Sequence, residues 1–106
     1  MPTFERITAR NLGTQEAVLY SVGVGAKALV IGCNAANVLG SSVALDLVLR
    51  QSAGDTFLAR GARLGCGEQG ALMAARVVLV AGDALVARAS AENAADIVLA
   101  LYVQVP

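Results

Sequence analysis

The sequence predicts an all-β fold: an antiparallel, jelly-roll-like β-sandwich of about eight strands. Three observations point there. Turn signals recur at short intervals, at Asn11-Leu-Gly13, Gly23-Val-Gly25, Asn37 to Ser42, Ser52 to Asp55, Gly65 to Gly70, Ala81-Gly82-Asp83 and Ala91-Glu-Asn93. Between them lie runs of about 6–10 residues, the length of strands. Several runs alternate apolar and polar residues with period two, as a half-buried strand requires. Ala is abundant but interleaved with Val and Ile, whose branched Cβ favours the pleat over the helix.

Each element has its own justification. The first strand, Thr3–Arg10, lies in a segment (1–15) expected to form an N-terminal arm or an edge strand. Ala17–Val22 follows. Gly23-Val-Gly25-Ala-Lys27 reads as a hairpin or sheet-crossing turn, with Lys27 marking solvent at the start of Ala28–Ala35, where Leu29, Ile31, Cys33 and Ala35 share a face. In Val43–Arg50, Val43, Leu45, Leu47 and Leu49 form one face, and Ala44, Asp46, Val48 and Arg50 the other. Thr56–Arg60 and Ala71–Leu79 come next. Ala84–Ala89 sets Leu85, Ala87 and Ala89 opposite Val86 and Arg88. Asp96–Val105 sets Ile97, Leu99, Leu101, Val103 and Val105 opposite Val98, Ala100 and Tyr102. Strands joined by such short loops are expected to pair antiparallel with their neighbours. Helices over Ala71–Ala81 and Ala89–Ala100 are the competing reading; Val77-Val-Leu-Val80, Ile97-Val98 and the Gly82-Asp83 break favour strands.

Length and composition bound the function. A chain of 106 residues is expected to form a single domain over 1–106. Hydrophobic residues make up 57% and charged residues 15%, against about 45–50% and about 25% in ordinary soluble domains, which excludes disorder. A net charge of zero argues against a dedicated nucleic-acid binder, which needs basic excess. The longest apolar stretch, Ala71–Ala89, is interrupted by Arg76, Gly82 and Asp83, so no membrane helix is expected. MPTFERITAR has charges where a signal peptide needs an apolar segment.

No motif calls for catalysis or a cofactor. Gly65-Cys-Gly67-Glu-Gln-Gly70 matches G-x-G-x-x-G, but Val77-Val-Leu-Val80 follows where a dinucleotide site needs a helix; it reads as a loop with glycines at left-handed positions. The chain has no His, the commonest general base and zinc ligand. Cys33 and Cys66 read as two small buried thiols, with a disulfide within or between subunits as the alternative. Asp46 and Arg50 share a strand face, and Arg60, Arg76 and Arg88 are expected near by in cross-strand ion pairs.

The second face carries Ala and Val where a monomeric sandwich would show Lys, Glu or Thr. Contiguous exposed apolar surface of that kind points to burial against other chains. Tyr20 and Tyr102 read as interface or core rims, and with Arg50, Arg60, Arg63, Arg76 and Arg88 they are the candidate interface residues.

A run of motifs then carries a resemblance: Ala17-Val-Leu-Tyr20-Ser-Val, Gly25-Ala-Lys-Ala-Leu-Val30, Asn37 with its Gly-Ser turn, Val78-Leu-Val-Ala-Gly-Asp83-Ala-Leu and Ala89-Ser-Ala-Glu-Asn-Ala-Ala-Asp-Ile-Val98. Over Glu16–Gln104 the chain resembles small all-β structural proteins of tailed bacteriophages. It departs from them at Val24, where Pro is usual, and at the two cysteines. The resemblance implies a β-sandwich virion component in many copies, without catalysis or small-molecule substrate. It would associate with itself and with other virion proteins in the neck, collar, tail or fibre-attachment region, or decorate the capsid. A receptor- or glycan-binding module is the alternative, and scarce aromatics count against it.

Overall fold

A computed structural model describes residues 2–72 and 76–104. Among them there are nine strands and no helix: β1 (Pro2–Leu12), β2 (Ala17–Ser21), β3 (Lys27–Asn37), β4 (Val43–Gln51), β5 (Gly54–Leu64), β6 (Gln69–Ala71), β7 (Val77–Val80), β8 (Ala84–Ala89) and β9 (Ala95–Gln104). The first sheet has the order β1-β9-β3, with β6 and β7 both pairing the far side of β3; the second has the order β2-β8-β4-β5. Every pairing is antiparallel. The expected all-β sandwich is therefore present, and the pairing pattern is that of a jelly roll. β4 and β5 form a hairpin, β3 pairs β6 and β7, β2 pairs β8 and β1 pairs β9, each pair nested outside the last. Rolling this long double ribbon adds the β3–β9 and β4–β8 contacts.

Two expectations change as a result. Consecutive strands pair only at β4–β5, because the other short connections cross between sheets or, from β6 to β7, continue along β3. The Gly23–Lys27 turn is one such crossing: Gly25 takes φ 77° and the Ala26 N–H donates to the Gly23 carbonyl. The single strand expected over Ala71–Leu79 is two, β6 on Asn34–Ala36 and β7 on Lys27–Val30. Residues 73–75 of that range, and Val105 of the last strand, lie outside the described residues.

Bulges account for the remaining differences. β5 continues past Arg60 because Gly61, at φ 64°, absorbs an extra residue opposite Leu45 and Leu47. On β3 the register shifts between Val30 and Gly32. This flips the strand's alternation halfway along: Ala28 and Val30 point inward in the first half, Cys33, Ala35 and Asn37 in the second. Leu29 and Ile31 therefore leave the face expected for them beside Cys33 and Ala35, and turn outward. The segment 1–15 contains an edge strand, β1, bonded along its length to β9.

The core lies between the sheets. Val30, Leu79, Ile97, Leu99 and Leu101 face Leu45, Leu47 and Leu85, all at most 1% exposed. The alternations read from β4, β8 and β9 put Leu45, Leu47, Leu85, Ile97, Leu99 and Leu101 inward as expected.

Candidate functional site: the outer faces of the two sheets

Strand register builds the outer face of the first sheet. Phe4 sits opposite Tyr102, Tyr102 opposite Leu29, and Leu29 opposite Val78, so one apolar row crosses four strands. The Phe4 and Tyr102 rings stack with centroids 4.9 Å apart at 56°, a tilted pair of the favoured kind. The row is open: Phe4 is 77% exposed and Val78 64%, with Ile31, Val80 and Val98 also exposed. Phe4, Leu29, Ile31, Tyr102 and Arg76 line a shallow depression of about 360 Å³. Lys27 lies at one end of the sheet opposite Val80 and Gln104, and Arg6 lies opposite Ala100.

The second sheet's outer face has a comparable row, Val18–Val86–Val48–Phe57; its ends are open too, Val18 63% and Phe57 43% exposed, but its middle is covered. Arg50 bridges Glu16 at 2.8 Å and Asp55 at 3.0 Å. Glu16, Asp55 and Phe57 line the same recess as Val48 and Val86. Although outward-facing, Val48 and Val86 are only 8% and 1% exposed. Arg60 stacks over the Phe57 ring at 5.0 Å, a cation–π contact. Asp46 accepts from Arg88 Nε at 2.9 Å and from the Gly61 N–H at 2.7 Å, so one carboxylate pins both a neighbouring strand and the bulge of β5. Partial burial pushes the Asp46 carboxyl up, but the Gly61 N–H and the Arg88 and Arg60 guanidiniums together hold it below its ordinary value. The Arg50 hydrogen bond, followed by its charge, likewise lowers Glu16 and Asp55.

A buried polar clamp joins loops at one end of the sandwich. The Asn37 amide donates to the carbonyls of Ser41, Leu64 and Gly65, at 2.8, 3.1 and 2.9 Å, and its Oδ1 accepts the Leu39 N–H. The Gly65–Gly70 loop hangs from it. Gly67 there is left-handed, at φ 73°, Glu68 accepts the Gly65 N–H, and β6 follows instead of a helix.

The candidate interface residues fall into separate places. Arg50, Arg60, Arg63 and Arg88 belong to the second sheet. Arg76, expected near them, lies on the first sheet's outer face with Tyr102. Tyr20 packs half-buried against the core at a bulge opposite Leu85, where burial, then the nearby Glu5 charge, raises its hydroxyl. Cys33 is buried and pushed up to about 11 by desolvation, as the small-hydrophobe reading expects. Cys66 is exposed instead of buried, because its glycine-flanked loop runs over the surface, and the two thiols are not bonded to each other. Phe4, Leu29, Ile31, Val78, Lys27 and Arg6 were not among the candidates; the register flip on β3 hid Leu29 and Ile31. Among the described residues no group of three or more His, Cys, Asp or Glu could hold a metal ion.

With this geometry in hand, known proteins give a likeness of fold. No family model and no curated protein matches the sequence. Solved structures do. VP2 of infectious bursal disease virus in a subviral particle matches with a TM-score of 0.55 and 15% identity over 95% of this chain. T=1 particles derived from that virus match over 98% of this chain at 14% identity, TM-score 0.54. A disulfide-linked pilus of Bacillus endospore appendages matches at 9% identity, TM-score 0.54, over 96% of this chain and 85% of that one. The chain spans about a third of the viral chains it matches, 32%. The arrangement of strands is thus one shared with a viral particle protein and a pilus protein.

Proposed function

We propose that this chain is a non-enzymatic structural protein of a virion, whose copies associate with one another and dock on other particle proteins. The observation that carries the reading is the open apolar row Phe4–Tyr102–Leu29–Val78 on the first sheet. Monomers rarely leave such contiguous surface in water. Covering it returns roughly 25 cal/mol per Å², and repetition around a closed ring multiplies that gain. The shared fold supports the reading, since the neighbours are a particle-forming viral protein and a pilus protein.

The resemblance of the turn motifs supports taking the particle as a tailed bacteriophage, assembled in the bacterial cytoplasm, with this chain in the neck, collar, tail or fibre-attachment region. A second reading, capsid decoration, draws on the likeness to a chain that itself forms a viral particle. Sedimentation velocity and native mass spectrometry of the purified chain over a concentration series test the proposal. A discrete oligomer is expected; a monomer at the highest concentrations overturns self-association.

A further inference from the structure

Resting on that reading, we propose that two copies of this chain join along β1, strand to antiparallel strand with Ile7 on the two-fold axis, so that their first sheets run on as one. The observation is the edge itself. β1 is 11 residues long and ends the first sheet, with β9 on one side and no strand on the other among the described residues. Alternate residues of a strand turn their N–H and C=O groups to opposite sides. Half of those groups on β1 therefore have no strand to bond, and such an edge is a template for a further strand. The rim is open: Thr3 to Arg6, Thr8 and Arg10 are exposed.

No other edge offers as much. β6 and β7 have 3 and 4 residues, and β2 has 5, with a register shift between Val18 and Tyr20. β5 is as long as β1, but its register against β4 shifts twice, and bulges twist an edge away from partners. β1 keeps an unbroken register against β9 from Pro2 to Ala9 and has no Pro, Gly or Lys between Thr3 and Leu12.

The strand's own sequence selects the occupant. A two-fold axis normal to the sheet continues outer face into outer face. Residues can then meet only within their own set, Phe4, Arg6 and Thr8 outward, or Thr3, Glu5, Ile7 and Ala9 inward. Centring on Glu5 or on Arg6 sets that residue against itself, and centring on Thr8 sets Arg6 against Arg10. Like charges directly opposite are destabilising, and centres further out lose overlap. Ile7 is the midpoint of Pro2–Leu12, so centring there overlaps the strands from end to end. It sets Ile7 against the partner's Ile7, Glu5 against the partner's Ala9 and Arg6 against the partner's Thr8. The two Arg6 side chains then lie diagonally, roughly 7–8 Å apart, with the open face to spread into. This contact lies at the rim and leaves the apolar row of the joined face free for further copies or other particle proteins.

The test follows the full chain by sedimentation velocity and amide hydrogen exchange over a concentration series, with thermal melts to hold each variant to the parent's fold. Thr8→Glu is expected to tighten the dimer about tenfold, since it sets a carboxylate opposite the partner's Arg6 twice per dimer. Thr8→Arg weakens it about tenfold by the same geometry, and adding Arg6→Glu to Thr8→Arg restores it. Amides of Thr3–Arg10 exchange more slowly as the dimer forms. Association indifferent to these charges, or exchange over β1 unchanged by concentration, overturns the inference while self-association through another surface stands. A monomer in the parent and every variant sinks both.

Discussion

The outer faces of the two sheets start from the same pattern and end differently. Each has a row of apolar side chains crossing four strands, Phe4–Tyr102–Leu29–Val78 on one and Val18–Val86–Val48–Phe57 on the other. On the second sheet, Arg50 finds Glu16 and Asp55, Arg88 finds Asp46, and Glu16, Asp55, Arg88 and Phe57 line a recess over the middle of the row. On the first sheet the cations have no such partners among the described residues, and the row stays in water. Val86 and Val78 are chemically identical and both point outward, yet one is 1% exposed and the other 64%. Place in the sheet decides much of this, since Val86 lies on the inner strand β8 while Val78 on β7 and Val18 on β2, 63% exposed, lie at edges; on the second sheet, long side chains with partners add to the cover. On the proposed reading, the more open first face is the one that another molecule covers.

The change that breaks the comparison altogether is Asn37→Asp. A carboxylate cannot donate to the Ser41, Leu64 and Gly65 carbonyls, and it buries charge against their oxygens. The expected cost is about 3 kcal/mol or more, read as a drop in urea midpoint, with both outer faces lost together. Next comes the pair of valines. Val86→Ala is expected to cost about 1.5–3 kcal/mol, whereas Val78→Ala stays within about 0.5 kcal/mol; equal losses in thermal or urea unfolding would remove the distinction between the faces.

A smaller effect follows from Asp46, whose carboxyl is lowered in the folded chain. Its contribution is fully present above the ordinary carboxylate range and is lost as pH falls through the lowered folded value. Asp46→Asn should therefore cost about 1 kcal/mol at neutral pH. The gap to the parent should close in acid, in urea melts at a series of pH values. Glu16, Asp55 and Glu92 titrate in the same region, so the difference between the two proteins isolates Asp46. The mildest test is thiol labelling of the native chain: Cys66 reacts at once and Cys33 only on unfolding, since burial holds its thiol near 11.

Much of the fold was legible because alternation survives wherever a strand is regular. In β4, β8 and β9 the inward set could be read directly from Val43 to Leu49, Leu85 to Ala89 and Ile97 to Val103. It failed at bulges. The shift between Val30 and Gly32 exchanged Leu29 and Ile31 for Ala28 and Val30, and Gly61 looked like the end of a strand while serving as its bulge. Pairing was hidden for a different reason: in a nested ribbon, strands distant in sequence are the partners, and short loops cross between sheets. Of the site, the arginines and Tyr102 could be singled out by type, but their neighbours could not. Arg76 was expected beside Asp46 and stands on the opposite sheet. Asn37 showed only as a turn residue, and its three carbonyl partners come from the turn at Ser41 and from the end of β5 with the loop after it, which meet only in the fold.

Hydroxyl-radical footprinting of the isolated chain against the assembled particle asks most directly whether the first sheet's face is covered. Phe4 and Tyr102 report on that face, and Phe57, 43% exposed on the second sheet, gives the contrast. Strong protection of Phe4 and Tyr102 on assembly, with a smaller change at Phe57, is the predicted result. Phe4 and Tyr102 labelled equally in both states would contradict it.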